Sequence, residues 1–175
     1  DITGPTVTIN QSAGQSDPTS TLPINFTAVF SEAINASSFT SGDLTFGGTA
    51  PGTKTAVISL VSGNTYNIAV SGATGSGTIT VSLPANTVTD VLGNNNSAST
   101  NTDNSVTYDM TSPTVTIDQA AGQSDPTVTL PINFTAVFSE AINPATFTAS
   151  DLTFGGTAPG TKTAIISLVS GNTYN

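Results

Sequence analysis

Apolar and polar positions alternate along most of this chain. Val7 and Ile9 are interleaved with Thr6 and Thr8, and Leu22, Ile24, Phe26, Ala28 and Phe30 with Pro23, Asn25, Thr27 and Val29. That period of two is the mark of a strand with one face buried. Thr53–Val61, Thr65–Ser71, Gly77–Leu83 and Asn104–Tyr108 carry the same pattern. Between them, Gly47-Gly48, Ala50-Pro51-Gly52, Ser62-Gly63-Asn64 and residues 72–77 supply turn chemistry. No segment shows a helical period; Ala36–Phe39 allows one short turn before Asp43. The expected core is aliphatic and phenylalanine-rich: Ile24, Phe26, Phe30, Leu60, Tyr66, Ile68, Val70, Ile79, Val81 and Val106.

The pattern also repeats at long range. Residues 1–67 return as 109–175 with a period of 108: Pro5-Thr6-Val7-Thr8-Ile9 becomes Pro113-Thr114-Val115-Thr116-Ile117, and Leu22 to Asn35 becomes Leu130 to Asn143 unchanged. The 67 aligned pairs contain 11 differences. A solenoid unit is roughly 20–50 residues long, so a period this size is a whole domain. About seven short strands per period predict an all-β fold of tandem Ig-like antiparallel β-sandwich modules. The first module is residues 1–108 and the second, incomplete, is residues 109–175. The second stops opposite Asn67 and lacks the counterpart of Ile68–Tyr108, so it is expected to leave sheet faces bare. Two explanations stay open: an excerpt from a longer array, or completion by strands of another chain in a head-to-tail filament.

Composition narrows the function. The chain has 11 carboxylates, two basic residues, and no histidine, cysteine or tryptophan, for a net charge of −9. The commonest general base and the best nucleophile are missing, so an enzyme is not expected. Zinc, haem and iron–sulfur sites lose their ligands as well. The negative charge argues against nucleic acid and anionic membrane surfaces, and no apolar run reaches the roughly 20 residues of a membrane span. Low charge at 7%, with abundant Thr, Ser, Asn and Gly, points to an extracellular bacterial protein. Beginning at Asp1 without an initiator Met, the sequence reads as a processed or excised segment.

Phe30-Ser31-Glu32-Ala33-Ile34, Asp90-Val91-Leu92-Gly93-Asn94 and Tyr108-Asp109-Met110-Thr111-Ser112-Pro113 resemble, in that order and spacing, bacterial Ig-like repeats of large surface and biofilm proteins. The resemblance covers nearly all of the first repeat and what there is of the second. It implies strings of modules at the bacterial cell surface acting as stalks, adhesins or matrix fibres; the unfinished second repeat adds other copies of the chain as expected partners. The alternative is a module that binds carbohydrate or a host surface. Many relatives of this kind hold calcium at module joints.

Calcium takes six to eight oxygens and favours clustered Asp, Glu and Asn. In an Ig-like topology Glu140 would stand close to linker residue Asp109, and the first hairpin loop of the preceding module would bring Asp17 to the same joint. Glu32, Asp90 and Asp103 would form the corresponding pole around Asp1. The competing reading is that these are turn-forming or solvated carboxylates, since Ser16-Asp17-Pro18-Thr19 and Asp90-Val91-Leu92-Gly93 are ordinary turn sequences.

Other features weigh less. Lys54 and Lys162, in Gly-Thr-Lys-Thr-Ala, suit solvent-facing strand lysines that discourage edge pairing better than partners in a Lys–Asn amide. The sequons at Asn10, Asn25, Asn35 and Asn133 follow from abundant Asn and Thr. Threonine faces such as Thr6 with Thr8, and Thr78 with Thr80, are good strand surface before they are a platform for a flat ligand.

Overall fold

The computed structural model describes residues 2–175 and divides the chain into two compact units, Asp1–Thr111 and Ser112–Asn175. In the first, seven strands follow one another: β1 (Val7–Gln11), β2 (Ile24–Phe30), β3 (Thr45–Gly47), β4 (Thr55–Ser62), β5 (Thr65–Ser71), β6 (Gly77–Ser82) and β7 (Ser105–Tyr108). They form two antiparallel sheets, ordered β1-β2-β5-β4 and β3-β6-β7. This is the seven-strand order of an immunoglobulin constant-type sandwich. Short 3-10 turns at Ala36–Ser38 and Ser41–Asp43 lie between β2 and β3.

Alternation decides which side chains meet between the sheets. Along β2, Ile24, Phe26, Ala28 and Phe30 are buried while the residues between them are not. The opposite sheet supplies Ile79, Val81 and Val106 to the same core. The segment before β7 also closes the β1 edge: Thr100 N–H donates to the Val7 carbonyl, and Ile9 N–H to the Thr100 carbonyl, both at 2.9 Å. Pairing both edges of β1 removes a site for unwanted strand addition.

Three details depart from the sequence reading. Leu60, expected in the core, is 60% exposed, because β4 is the outermost strand and its register with β5 shifts between Leu60 and Ser62. β3 begins just before the Gly47-Gly48 turn, too short for alternation to reveal, and forms only because β6 is there to pair with it. Lys54 and Lys162 precede the strand they were assigned to; each ammonium donates to a turn carbonyl four residues earlier, Ala50 and Ala158 respectively.

The second unit contains a single sheet, ordered β10-β11-β9-β8, from β8 (Val115–Gln119), β9 (Phe134–Phe138), β10 (Leu168–Ser170) and β11 (Thr173–Tyr174). Its register repeats that of the first: Val115 faces Phe138 and Gln119 faces Phe134, as Val7 faces Phe30 and Gln11 faces Phe26. Residues 153–155, the counterpart of β3, are not a strand. The strand that β3 pairs with, β6, has no counterpart among these residues.

Candidate functional site

The two acidic poles expected from sequence can be placed residue by residue. At the Val7 end of β1, the segment after β2 and the loop carrying Asp90 are tied together. Ile34 bridges Asp90, Asn35 N–H donates to the Thr89 carbonyl at 2.8 Å, and Thr89 N–H donates to Ser38 Oγ at 3.1 Å. Glu32 and Asp90 therefore sit in adjoining loops. Asp103 does not join them: its carbonyl accepts from Gln11 N–H and its own N–H donates to Asn10 Oδ1, which puts it at the far end of β1. Asp1, the proposed centre of that pole, lies outside the described residues.

Asp90 is 2% exposed and its carboxylate is turned into its own loop. Oδ1 accepts from the N–H groups of Leu92 and Asn94, each at 2.8 Å, and Oδ2 accepts from Asn94 Nδ2 at 2.7 Å. The Asn94 side-chain amide, followed by the backbone N–H groups of Asn94, Leu92 and Gly93, holds the carboxyl below the ordinary aspartate value against the opposing pull of burial. These contacts are those of a carboxylate that orders its own turn.

Among the described residues Asn96 is, with Asp90, the other buried polar side chain, at 2% exposure. Its Oδ1 accepts from Thr87 and Val88 N–H, and its Nδ2 donates to the Pro84 and Ser97 carbonyls. It was not among the residues singled out from the sequence. The only available signal was its position inside a long loop that must satisfy its backbone without sheet partners.

Asp17 and Asp109 meet the β7 end of the first unit. Asp17 Oδ1 accepts from Thr107 N–H at 2.9 Å, and Asp109 N–H donates to the Thr19 carbonyl at 2.9 Å. Asp109 Oδ1 also accepts from Ser76 Oγ and from the backbone and hydroxyl of Thr111. Glu140 belongs to the second unit, half-exposed after β9, next to Ser139, whose Oγ accepts from Thr114 N–H at 2.9 Å. Among the described residues no three acidic side chains converge as a metal ion would require. Nor is any helix there long and apolar enough to cross a membrane.

The second feature capable of binding is apolar. The inner face of the second unit's sheet borders an open groove of about 1140 Å³, lined among others by Ile117, Ile132, Phe134, Phe147, Leu152 and Phe154. Ile117, Ile132 and Phe134 are 49%, 48% and 53% exposed, whereas their counterparts Ile9, Ile24 and Phe26 are at 0%.

Fold and surfaces together define an all-β chain, a two-sheet sandwich in the first unit and a single sheet in the second. No protein-family model matches it, and no curated protein does. The chain is similar to the N-terminal part of the bacterial S-layer protein SbsC, at 18% identity and a TM-score of 0.39. That match covers 65% of this chain and 26% of the other, about a quarter of its length.

Proposed function

We propose that this chain is part of an extracellular, bacterial Ig-like tandem-repeat protein, with no enzymatic activity, whose modules build a stalk, fibre or filament at the cell surface. One observation carries the reading. The 11 positions at which the repeats differ all fall outside the buried core of the first unit, from Ile2 at 94% exposure to Val57 at 71%. The inward residues, from Val7 to Tyr66, are the same in both. Copies that keep every buried residue while differing outside the core are kept as modules, and their number sets length.

The alternative, a carbohydrate- or host-surface-binding module, finds less support. Sugar platforms favour exposed tyrosine and tryptophan rings, but the chain has no tryptophan and Tyr66, Tyr108 and Tyr174 are buried at 7%, 6% and 4% exposure.

Calcium binding by carboxylates of the chain, Asp17, Asp109 and Glu140 being the candidates, is the finer part of this proposal: a bound cation would relieve the mutual repulsion of acidic side chains. At the first unit's own pole Asp90 is turned into its loop and Asp103 stands at the other end of β1.

Electron microscopy of the native material with and without chelator tests both levels. Ordered fibres support the array, and their loosening under chelator supports the ion. Dispersed monomers indifferent to chelator would remove both.

A further inference from the structure

Among the described residues, the two-sheet first unit leaves one long strand edge open. β1 is closed by Thr100, and β7 by Thr19, whose N–H donates to the Thr107 carbonyl and whose carbonyl accepts from Asp109 N–H, each at 2.9 Å. β3 is three residues long. β4, at the edge of its sheet, runs for eight residues, Thr55–Ser62. Ala56 N–H donates to Ser41 Oγ at 3.2 Å, so even-numbered residues of this strand turn their backbone groups away from β5. Followed through β5 and β2, the same alternation points Val7 and Ile9 outward from β1, where they meet Thr100. Ile58 and Leu60 therefore present N–H and C=O groups to the open edge, and among the described residues no other segment meets them there.

This edge lacks the usual guards. Thr55–Ser62 carries no charge and no proline, and the preceding Lys54 turns its ammonium to the Ala50 carbonyl. Val57, Leu60 and Val61 are 71%, 60% and 62% exposed. The second repeat has the same eight residues except for Ile165 in place of Val57, so an exposed position changes and stays apolar. A long, uncharged, apolar edge is a site of strand addition.

We infer that β4 pairs antiparallel with β4 of a second copy of this chain, about a twofold axis at Ser59. The register follows from which groups are open. An axis at Ser59 sets Ile58 opposite Leu60 of the second copy, and the reverse, so the hydrogen-bonded pairs use open groups and place apolar on apolar. An axis at Ile58 instead calls on Ala56, whose N–H Ser41 already holds. The register shift between Leu60 and Ser62 ends the regular ladder just beyond these pairs. A second copy fits because the strand is its own complement: the contact buries no charge between chains that each carry −9, and one patch serves both copies. This contact rests on the module-array reading and adds how arrays associate. One strand pair is weak, but an array carries the strand once per 108 residues, and linked contacts gain avidity.

The test uses the full 175-residue chain, which has no cysteine, so one engineered thiol reports on one position. Ser59→Cys sits on the axis, where facing Cα atoms of a non-hydrogen-bonded pair are about 4.5 Å apart, within disulfide reach. Thr55→Cys, on the same exposed strand, lies roughly 26 Å from its equivalent in this register. Mild oxidation should link Ser59→Cys chains into dimers about tenfold faster than Thr55→Cys chains. Raising the concentration of the unaltered chain should slow exchange of the Ile58 and Leu60 amides and leave that of Ser59, which faces Asn67 within the sheet, unchanged. Ser59→Lys sets like charges directly opposite each other while lowering the chain's negative charge; it should weaken association in sedimentation about fivefold, with the first unit's melting by circular dichroism unaltered. Equal linking of the two cysteine chains, or association that leaves the Ile58 and Leu60 amides unchanged, overturns the inference. Chains that stay monomeric at millimolar concentration while the native material forms ordered fibres discard this contact and leave the module-array reading standing.

Discussion

The two units form a natural experiment in which the same residues fold with and without a second sheet. What survives in the second unit is what neighbours in sequence and in the first sheet can make. Phe138, Phe147 and Tyr174 keep the edge-to-face triangle of Phe30, Phe39 and Tyr66, with ring centroids 5.1, 5.8 and 5.4 Å apart against 5.3, 5.8 and 5.5 Å. The Thr148–Asp151 cap likewise repeats that of Thr40 and Asp43, although Ser41 and Gly42 have become Ala149 and Ser150. What is lost is the contact between sheets. Local geometry is thus encoded within about 40 residues, whereas burial depends on strands that arrive later in the period. Full burial of an Ile or Phe side chain is worth about 1.5–3 kcal/mol, so each of Ile117, Ile132 and Phe134 forgoes roughly half of that.

The sharpest way to break the comparison is to delete the same side chain twice. Phe26→Ala should cost the first unit about 3–5 kcal/mol by leaving a cavity between sheets. Phe134→Ala, at a half-exposed position, should cost about 1 kcal/mol or less. Denaturant unfolding followed by tyrosine emission separates them, because Tyr66 and Tyr108 report on the first unit and Tyr174 on the second. Equal costs would mean that the second unit's face is covered.

Next in size is Asn96→Ala, which should destabilise the first unit by about 2–3 kcal/mol. It strips partners from the Thr87 and Val88 N–H groups, and Val88 is fully buried. The second unit should be untouched in the same melt. A smaller contrast comes from glycine. Gly48 has φ +93° and a Cβ there would approach the Thr78 carbonyl oxygen to 2.1 Å; Gly156 has φ +90° with nothing within 4 Å. Gly156→Ala should cost about 1 kcal/mol from backbone strain alone, and Gly48→Ala measurably more. Similar values for the two would deny the close approach of β3 to β6.

The smallest expected effect is one of pH. Because the folded-state pKa of Asp90 lies below its ordinary value, its contribution is fully present above the unfolded aspartate value of about 3.9. It is lost as pH falls through the lower folded value. The first unit should therefore weaken only in acid below about pH 4, and Asp90→Asn should flatten that dependence. Asp151 has the same sign in the second unit, held down chiefly by the Thr148 backbone N–H and then by its hydroxyl, so acid should fray that 3-10 turn as well.

Much of the fold was legible because it is periodic. Thr65–Ser71 matches β5 to the residue, and Gly77–Leu83 and Asn104–Tyr108 differ from β6 and β7 only at an end. Alternation carries strand identity and inward face together, which is why Ile24, Phe26, Ile68 and Val70 could be assigned to the core at once. It carries nothing about sheet order, so Leu60 looked as buried as Ile68 until β4 proved to be an edge. The acidic residues were less legible. A carboxylate in Asp-x-x-Gly-Asn serves a cation or its own backbone with the same letters, and at Asp90 only the direction of the oxygens distinguishes them. Asn96 was invisible for the opposite reason: its role comes from where a loop crosses the core, and no residue pattern records that.

The comparison is tested most directly by hydrogen exchange on the 175-residue chain. Fragments spanning Ser20–Phe39 and Val128–Phe147 cover the same strand and differ in mass through Ser20 and Val128, Ala36 and Pro144, Ser37 and Ala145, and Ser38 and Thr146. Strong protection of Ile24–Phe30 with rapid exchange of Phe134–Phe138 is the predicted result. Equal protection of both strands would contradict the claim that the second sheet, and not the strand sequence, confers burial.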